Sequence, residues 1–247
     1  MLTHKSRRHM PFRTICLLQG IAVAAAVDYL LVRQMARVLG WHAQSLGWLL
    51  NLANVPWKSG GVLRLWPGVS ADIFSTDYLN YAVHPYYPGL IALAALVAYG
   101  VAYRRVSDPL KLLLFLPVAA LGIAFTFLLF QHRSPYSPME FSAVWYRGEV
   151  FLWLLLPVIF AMSFFILNVP LPQKIGWLLV LLAYSFVWSA VRLATALATF
   201  HYFGSVWMPF FYFIFGIMAD FLYIVAAYSL AMDGAARYLA AQQEAWV

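Results

Sequence analysis

SFVWSAVRLATALATFHYFGSVWMPFFYFIFGIMAD, residues 185–220, decides the fold. It reads as two membrane helices joined by a short polar turn, with Arg192 inside the first and Asp220 inside the second. A charge within bilayer hydrocarbon is costly, so such residues take a partner or a purpose. Along the first helix Ser185, Trp188 or Ser189, Arg192, Thr195 and Thr199 recur at three- or four-residue steps. That makes one polar stripe, expected to face protein or a water-filled cavity. Depth counting then chooses the partner. Arg192 lies roughly 10 Å below the outer end of its helix, Asp28 roughly 7 Å below the outer end of helix 1, and Asp220 roughly 20 Å down. The matching depths favour Arg192 with Asp28 as the ion pair, with Asp220 as second choice.

Composition says the same of the whole chain. Of 247 residues, 64% are hydrophobic and only 10% charged, and the mean hydropathy is +0.77. A soluble domain carries about 25% charged residues. Several uncharged runs reach the roughly 18 residues needed to cross hydrocarbon. The expected fold is all-α: a polytopic membrane helical bundle of six transmembrane helices plus one interfacial helix, a single integral membrane domain over 1–247. A β-barrel would show short alternating segments instead. The net charge of +7 fits basic cytoplasmic loops and anionic lipid headgroups. No basic, aromatic-laced helix stands apart from the membrane segments, so nucleic acid is not an expected partner. The single cysteine, Cys16, excludes an intrachain disulfide and a thiolate zinc cluster.

The spans are expected near 15–32, 88–103, 112–130, 150–167, 176–200 and 207–232. A basic start with Lys5, Arg7, Arg8 and Arg13 precedes the first. A signal peptide cleaved near AVAAA (22–26) is the rival reading, but the apolar run continues through Tyr29, Leu30, Leu31 and Val32. Residues 33–56 read as an interfacial helix with tryptophans at headgroup level. Residues 58–82 are punctuated by Gly60, Gly61, Pro67 and Gly68 and alternate like strands, so 57–85 is the expected extracytoplasmic loop. With both termini inside, nine Lys and Arg fall on the cytoplasmic side: Lys5, Arg7, Arg8, Arg13, Arg104, Arg105, Lys111, Lys174 and Arg237. Six fall outside: Arg33, Arg37, Lys58, Arg64, Arg133 and Arg147. That asymmetry sets the orientation, and the expected location is a bacterial inner membrane.

Several chemistries fail on inspection. HExxH, GxSxG, a Walker loop and GxGxxG are all absent from the sequence. His84, His132 and His201 fall at outer helix ends, but none has a second ligand at helical spacing, so no metal is expected. No opposed histidine pair suits a haem, and no cofactor is expected. The expected polar cluster is Asp28, Glu149, Arg192, His201 and Asp220, with no catalytic residue assigned.

The stretch DYLNYAVHPYYPGLIALAALVAYGVAYRR (77–105), with WHAQSLGWLLNLANVPWKSGGVLRL (41–65) before it, resembles the exosortase and archaeosortase membrane proteins over about 40–130. In that family an extracytoplasmic segment leads into a helix whose mouth carries a Cys-Ser-Gly motif. Here Tyr86, Tyr87 or Pro88 stands at that place. The family's asparagine-to-arginine motif is not recognisable in helix 3, and the spacing of Arg192 and His201 is too short to carry over the family's arginine and histidine roles. The resemblance implies a non-catalytic relative or an accessory protein of such a sorting system.

The leading expectation is therefore a non-enzymatic inner-membrane component of an envelope assembly or protein-sorting system, with an envelope protein as partner beside the lipid bilayer. Two alternatives stand: a small transporter or channel lined by Arg192, Asp28 and Asp220, and an outer-leaflet intramembrane enzyme in which His201, Glu149 and Arg192 converge.

Overall fold

The computed structural model describes residues 14–78, 86–131, 137–165, 167 and 169–244. The chain is mostly helical with one small sheet. In order it forms α1 (Thr14–Leu52), β1 (Trp57–Trp66), β2 (Val69–Thr76), α2 (Tyr87–Tyr103), α3 (Asp108–Gln131), α4 (Pro138–Ser163) and α5 (Leu171–Phe203). A 3₁₀ turn (Ser205–Trp207), α6 (Met208–Phe210), a π-helix (Phe211–Met218) and α7 (Ala219–Glu244) complete it. Among the described residues three helical stretches are long and apolar enough to cross a membrane: Pro138–Ser163, Leu171–Phe203 and Ser205–Ala240. Gly89–Tyr103 and Leu114–Thr126 are shorter apolar helices.

Helix α1 corrects one expectation. Membrane helix 1 and the interfacial helix are a single 39-residue rod, about 58 Å long at 1.5 Å per residue. No proline interrupts it, and the polar residues after Val32 are compatible with helix. The rod stops where the backbone turns left-handed at Asn54, φ 53°. The Asn54 amide donates to Asn51 O and the Val55 amide to Leu50 O, both at 3.0 Å. This pair of bonds is a Schellman motif, closed by the buried apolar residues Leu50 and Val55. Pro56 follows and cannot resume the helix.

The alternating stretch forms an antiparallel hairpin of β1 and β2. Pro67 and Gly68 make its tip, Gly68 at φ 80°, the pairing of residues that a type II turn needs. The register slips between Ser59 and Gly61 and again between Arg64 and Trp66, so β1 carries two bulges. Strand β2 buries Val69, Ala71, Ile73, Phe74 and Thr76, whereas β1 is exposed at Lys58, Ser59, Val62 and Arg64.

Helix α4 starts twelve residues earlier than the expected 150, at Pro138. The cause is a capping box. Glu140 Oε2 accepts from the Ser137 amide at 2.8 Å, and Ser137 Oγ accepts from the Glu140 amide at 3.2 Å. Pro138 sits at the first helical position, where its missing N–H costs nothing.

The chain divides into two compact units, and α1, α4, α5 and α7 each give residues to both. The first unit holds, of the described residues, 14–38, 149–165, 167, 169–187 and 221–244. In it α1 meets α4 closely, because a Cβ on Gly20 would lie 2.7 Å from Phe165 Cβ. Lys174 is buried, and its Nζ donates to Phe165 O at 2.7 Å just past the α4 terminus. That cation satisfies a terminal carbonyl and complements the negative end of the helix dipole. Ser185 and Tyr223 join α5 to α7 through a 2.8 Å hydroxyl pair.

The second unit holds 39–78, 86–131, 137–148 and 188–220 of the described residues. Here α2 packs on α3, and α3 packs against the 3₁₀ turn, α6 and the π-helix. A Cβ on Gly89 would come within 2.9 Å of Phe125, so glycine permits the α2–α3 approach. The backbone reverses after α5 at Gly204, φ 82° and ψ −178°, a region open in practice only to glycine.

Candidate functional site

The second unit brings together three buried helical faces. On α1, Leu39 is followed by His42, Leu46 and Leu50, all buried at steps of three or four residues. On α4 the buried set is Phe141, Ser142, Trp145 and Tyr146, and on α5 it is Ser189, Arg192, Leu193, Ala196 and Phe200. A histidine, two serines and an arginine thus occupy positions on faces that otherwise hold aliphatic and aromatic residues. Buried polar groups need partners.

His42 finds two. Its Nδ1 shares a hydrogen bond with the Tyr146 hydroxyl and its Nε2 with Ser189 Oγ, each at 3.3 Å. A neutral ring suits this setting, since one nitrogen donates and the other accepts. Trp145 Nε1 also donates to Ser189 Oγ, at 3.4 Å. The Arg192 guanidinium lies 5.2 Å over the Trp145 ring, in cation–π range.

Arg192 pairs with Asp220, which depth counting ranked second. Its Nη2 donates to Asp220 Oδ1 at 2.5 Å. Its Nη1 donates to Phe215 O and, at 3.1 Å, to Gly216 O. Counting ranked Asp220 second because it took both arms of the hairpin as ideal α-helix measured from ends near 200 and 207. Helix α5 continues to Phe203, and the opposite arm begins with a 3₁₀ turn, a single α turn and eight π residues. Bonding at i→i+5 widens that helix and changes its rise, so residue number no longer converts to depth at 1.5 Å per residue.

The polar stripe on α5 is also narrower than expected. Ser189 and Arg192 are buried, but Thr195 is exposed. Thr195 Oγ1 donates to Val191 O and Thr199 Oγ1 to Thr195 O, both at 2.8 Å. Each hydroxyl returns to its own helix one turn back, so neither needs a cavity.

Of the expected five-residue cluster, Arg192 and Asp220 are joined directly. Arg192, Asp220 and His201 belong to the second unit, whereas Asp28 and Glu149 belong to the first. Glu149 is buried on α4, and Asp28 is half-buried on α1. Asp28 Oδ1 has no hydrogen-bond partner among the described residues. His201 is nine residues beyond Arg192 on one helix, about 13 Å along the axis and roughly half a turn around it. These two side chains therefore do not converge. Histidines 84 and 132, with the basic start 1–13, lie outside the described residues. No cluster of three metal-ligating side chains occurs among the described residues.

His201 instead roots the hairpin. Its Nδ1–H donates to Asp77 O, just past β2, at 2.7 Å. The next residue, Tyr202, donates from its hydroxyl to Ala53 O, just before β1, at 3.1 Å. Thr76 Oγ1 donates to Pro56 O at 2.9 Å, and Ser142 Oγ donates to Phe74 O at 2.8 Å. Both ends of the hairpin are thus fixed by α5, and β2 is fixed by α4. Comparison with family models, curated proteins and solved structures finds no match.

Proposed function

We propose that this chain is a non-enzymatic inner-membrane component of an envelope-assembly or protein-sorting system, with its β-hairpin as the element that meets a partner or substrate. The observation that carries this reading is the rooted hairpin. Its base is held by His201, Tyr202, Thr76 and Ser142, while β1 stays exposed over most of its length. A short two-stranded hairpin is marginal alone, so anchoring at both roots favours presentation in one orientation. The exosortase-like frame without its cysteine supports the same reading. So does the use of Arg192 and His42 within the fold.

In the proposed arrangement six helices cross the membrane, both termini are cytoplasmic and the hairpin stands outside. The transport reading is less well supported, since Arg192, its central cation, is committed to Asp220 and two backbone carbonyls. The enzyme reading loses the approach of His201 to Arg192.

Photocrosslinking in the native host tests the proposal. A photoreactive amino acid at Val62 or Arg64, both exposed on β1, is expected to give a discrete adduct with an envelope protein. The same probe at Leu179, exposed on the apolar α5, serves as the lipid-facing control. Hairpin positions that yield no more protein adduct than the control would overturn the reading.

A further inference from the structure

We propose that Arg192 is a latch that holds the π-helix Phe211–Met218 in one of two registers. A π stretch is uncommon and usually a single turn, and it tends to occur at functional positions. Here it runs for eight residues, within a span otherwise suited to ordinary α-helix. At its end the Ala219 amide is shared between Ile214 O, five residues back, and Gly216 O, three residues back. This is the seam where π bonding gives way to α bonding. Arg192 docks on that seam. Its guanidinium donates to Phe215 O and Gly216 O and to Asp220 one turn on.

Carbonyls at such a seam are poorly matched to their own helix, and a cation with several donors is well suited to them. The latch is held from behind by Trp145, which the Arg192 guanidinium covers and which donates to Ser189. Gly216 lies against that ring, with a built Cβ 3.7 Å from Trp145. Arg192 is sealed at 0% side-chain exposure, whereas Asp220 keeps 18%, so the pair can be reached from the Asp220 side alone.

With Arg192 withdrawn, the seam loses the bonds at Phe215 O, Gly216 O and Asp220, and 211–218 rewind towards α bonding. Each residue of register is about 100° of helix rotation. The exposed Tyr212 and Phe213 would then turn away from their present face. The displacement at the helix surface is about 8 Å for a cylinder of 10–12 Å diameter. The segment is therefore a rotary element between Gly204 and α7, set by one side chain.

Distance measurement between two spin labels tests this on the full chain in lipid nanodiscs. Cys16→Ser removes the only cysteine, and labels go at Thr195→Cys and Tyr212→Cys, both exposed. With Arg192 intact one narrow distance is expected. Arg192→Gln should move or split that distance by several ångströms. If Arg192→Gln does not fold, Arg192→Lys replaces it: a single-nitrogen head cannot serve two carbonyls and a carboxylate together, so the distance should shift. Asp220→Asn, which leaves Arg192 on its two carbonyls, should leave it unchanged. An unshifted distance in folded Arg192→Gln or Arg192→Lys would overturn the latch. A shift in Asp220→Asn without one in Arg192→Lys would overturn it too, because the charge pair and not the carbonyl contact would then hold the register.

Discussion

Arg192 is held by backbone as much as by charge, and that distinction governs its replacement. Removing one member of a buried ion pair strands the other and costs about 3–5 kcal/mol. Arg192→Ala also leaves Phe215 O and Gly216 O without their side-chain donor. It should therefore be among the most destabilising single changes, visible as a large drop in thermal unfolding temperature in detergent. Asp220→Asn keeps an acceptor beside Nη2 but removes the negative charge that faces a fully buried guanidinium, so it should destabilise by a similar order. His42 gives a second residue-level expectation. His42→Leu fills the same stripe but leaves the Tyr146 hydroxyl and Ser189 Oγ without the ring between them, at about 1–3 kcal/mol for a buried group left unsatisfied. The double variant His42→Leu, Tyr146→Phe should recover part of that loss, and a thermal-melt cycle over the four proteins measures it. His42 was legible in the sequence, since it continues the spacing of Met35, Leu39, Leu46 and Leu50. A reading of 33–56 as an interfacial helix placed its polar residues in headgroups and hid it. Asp220 was legible as a partner of Arg192 but ranked only second, because no residue pattern in FYFIFGIM (Phe211–Met218) announces π bonding.

At the scale of elements, the ends of helices and the turns were easier to read than their lengths. Gly60, Gly61, Pro67 and Gly68 marked the hairpin correctly, because positive φ and a fixed proline φ have few sequence solutions. The extents of α1 and α4 were misjudged for a common reason. A hydropathy boundary at Val32 or Val150 is a change of surroundings, not a stop signal. The true stop of α1 is Asn54 at φ 53°. A left-handed residue costs a β-branched side chain about 1–2 kcal/mol, so Asn54→Val should destabilise by that order. Asn54→Gly should be neutral or mildly stabilising, and paired thermal melts compare the two directly. Gly61, at φ 135° with no atom near a built Cβ, makes the complementary case. Gly61→Ala meets no clash, yet should still loosen the hairpin through backbone strain alone. Amide hydrogen exchange is expected to quicken over β1 and β2 while α5 retains its protection.

For the whole molecule, composition alone forecast a helical membrane protein, and three helices of spanning length and polarity bear that out. The division into two units, with α1, α4, α5 and α7 contributing to both, was not foreseeable. It depends on which halves of long helices pack together, and hydropathy averages over that. The proposed topology rests on the distribution of positive charge, nine Lys and Arg on the termini side against six on the hairpin side. Lys174 and Arg192 qualify that count. Lys174 is buried on a helix-end carbonyl, and Arg192, left out of the count, is locked inside the fold. A buried cation bound to backbone reports packing and not the side of the membrane, because the orientation rule acts through charges in loops and near helix ends. Removing Lys174 leaves eight against six, with the excess concentrated in Lys5, Arg7, Arg8 and Arg13 before α1, and in Arg104 and Arg105 after α2 with Lys111 in the first turn of α3. Orientation should therefore be insensitive to Lys174→Gln but sensitive to the first cluster. Side-specific reporters fused after Ser70 and after Glu244 are expected to read opposite sides of the membrane in the wild type and in Lys174→Gln. Neutralising Lys5, Arg7, Arg8 and Arg13 together should produce a mixed population at both positions. Reporters that place Ser70 and Glu244 on the same side would rule out a hairpin facing away from the C-terminus.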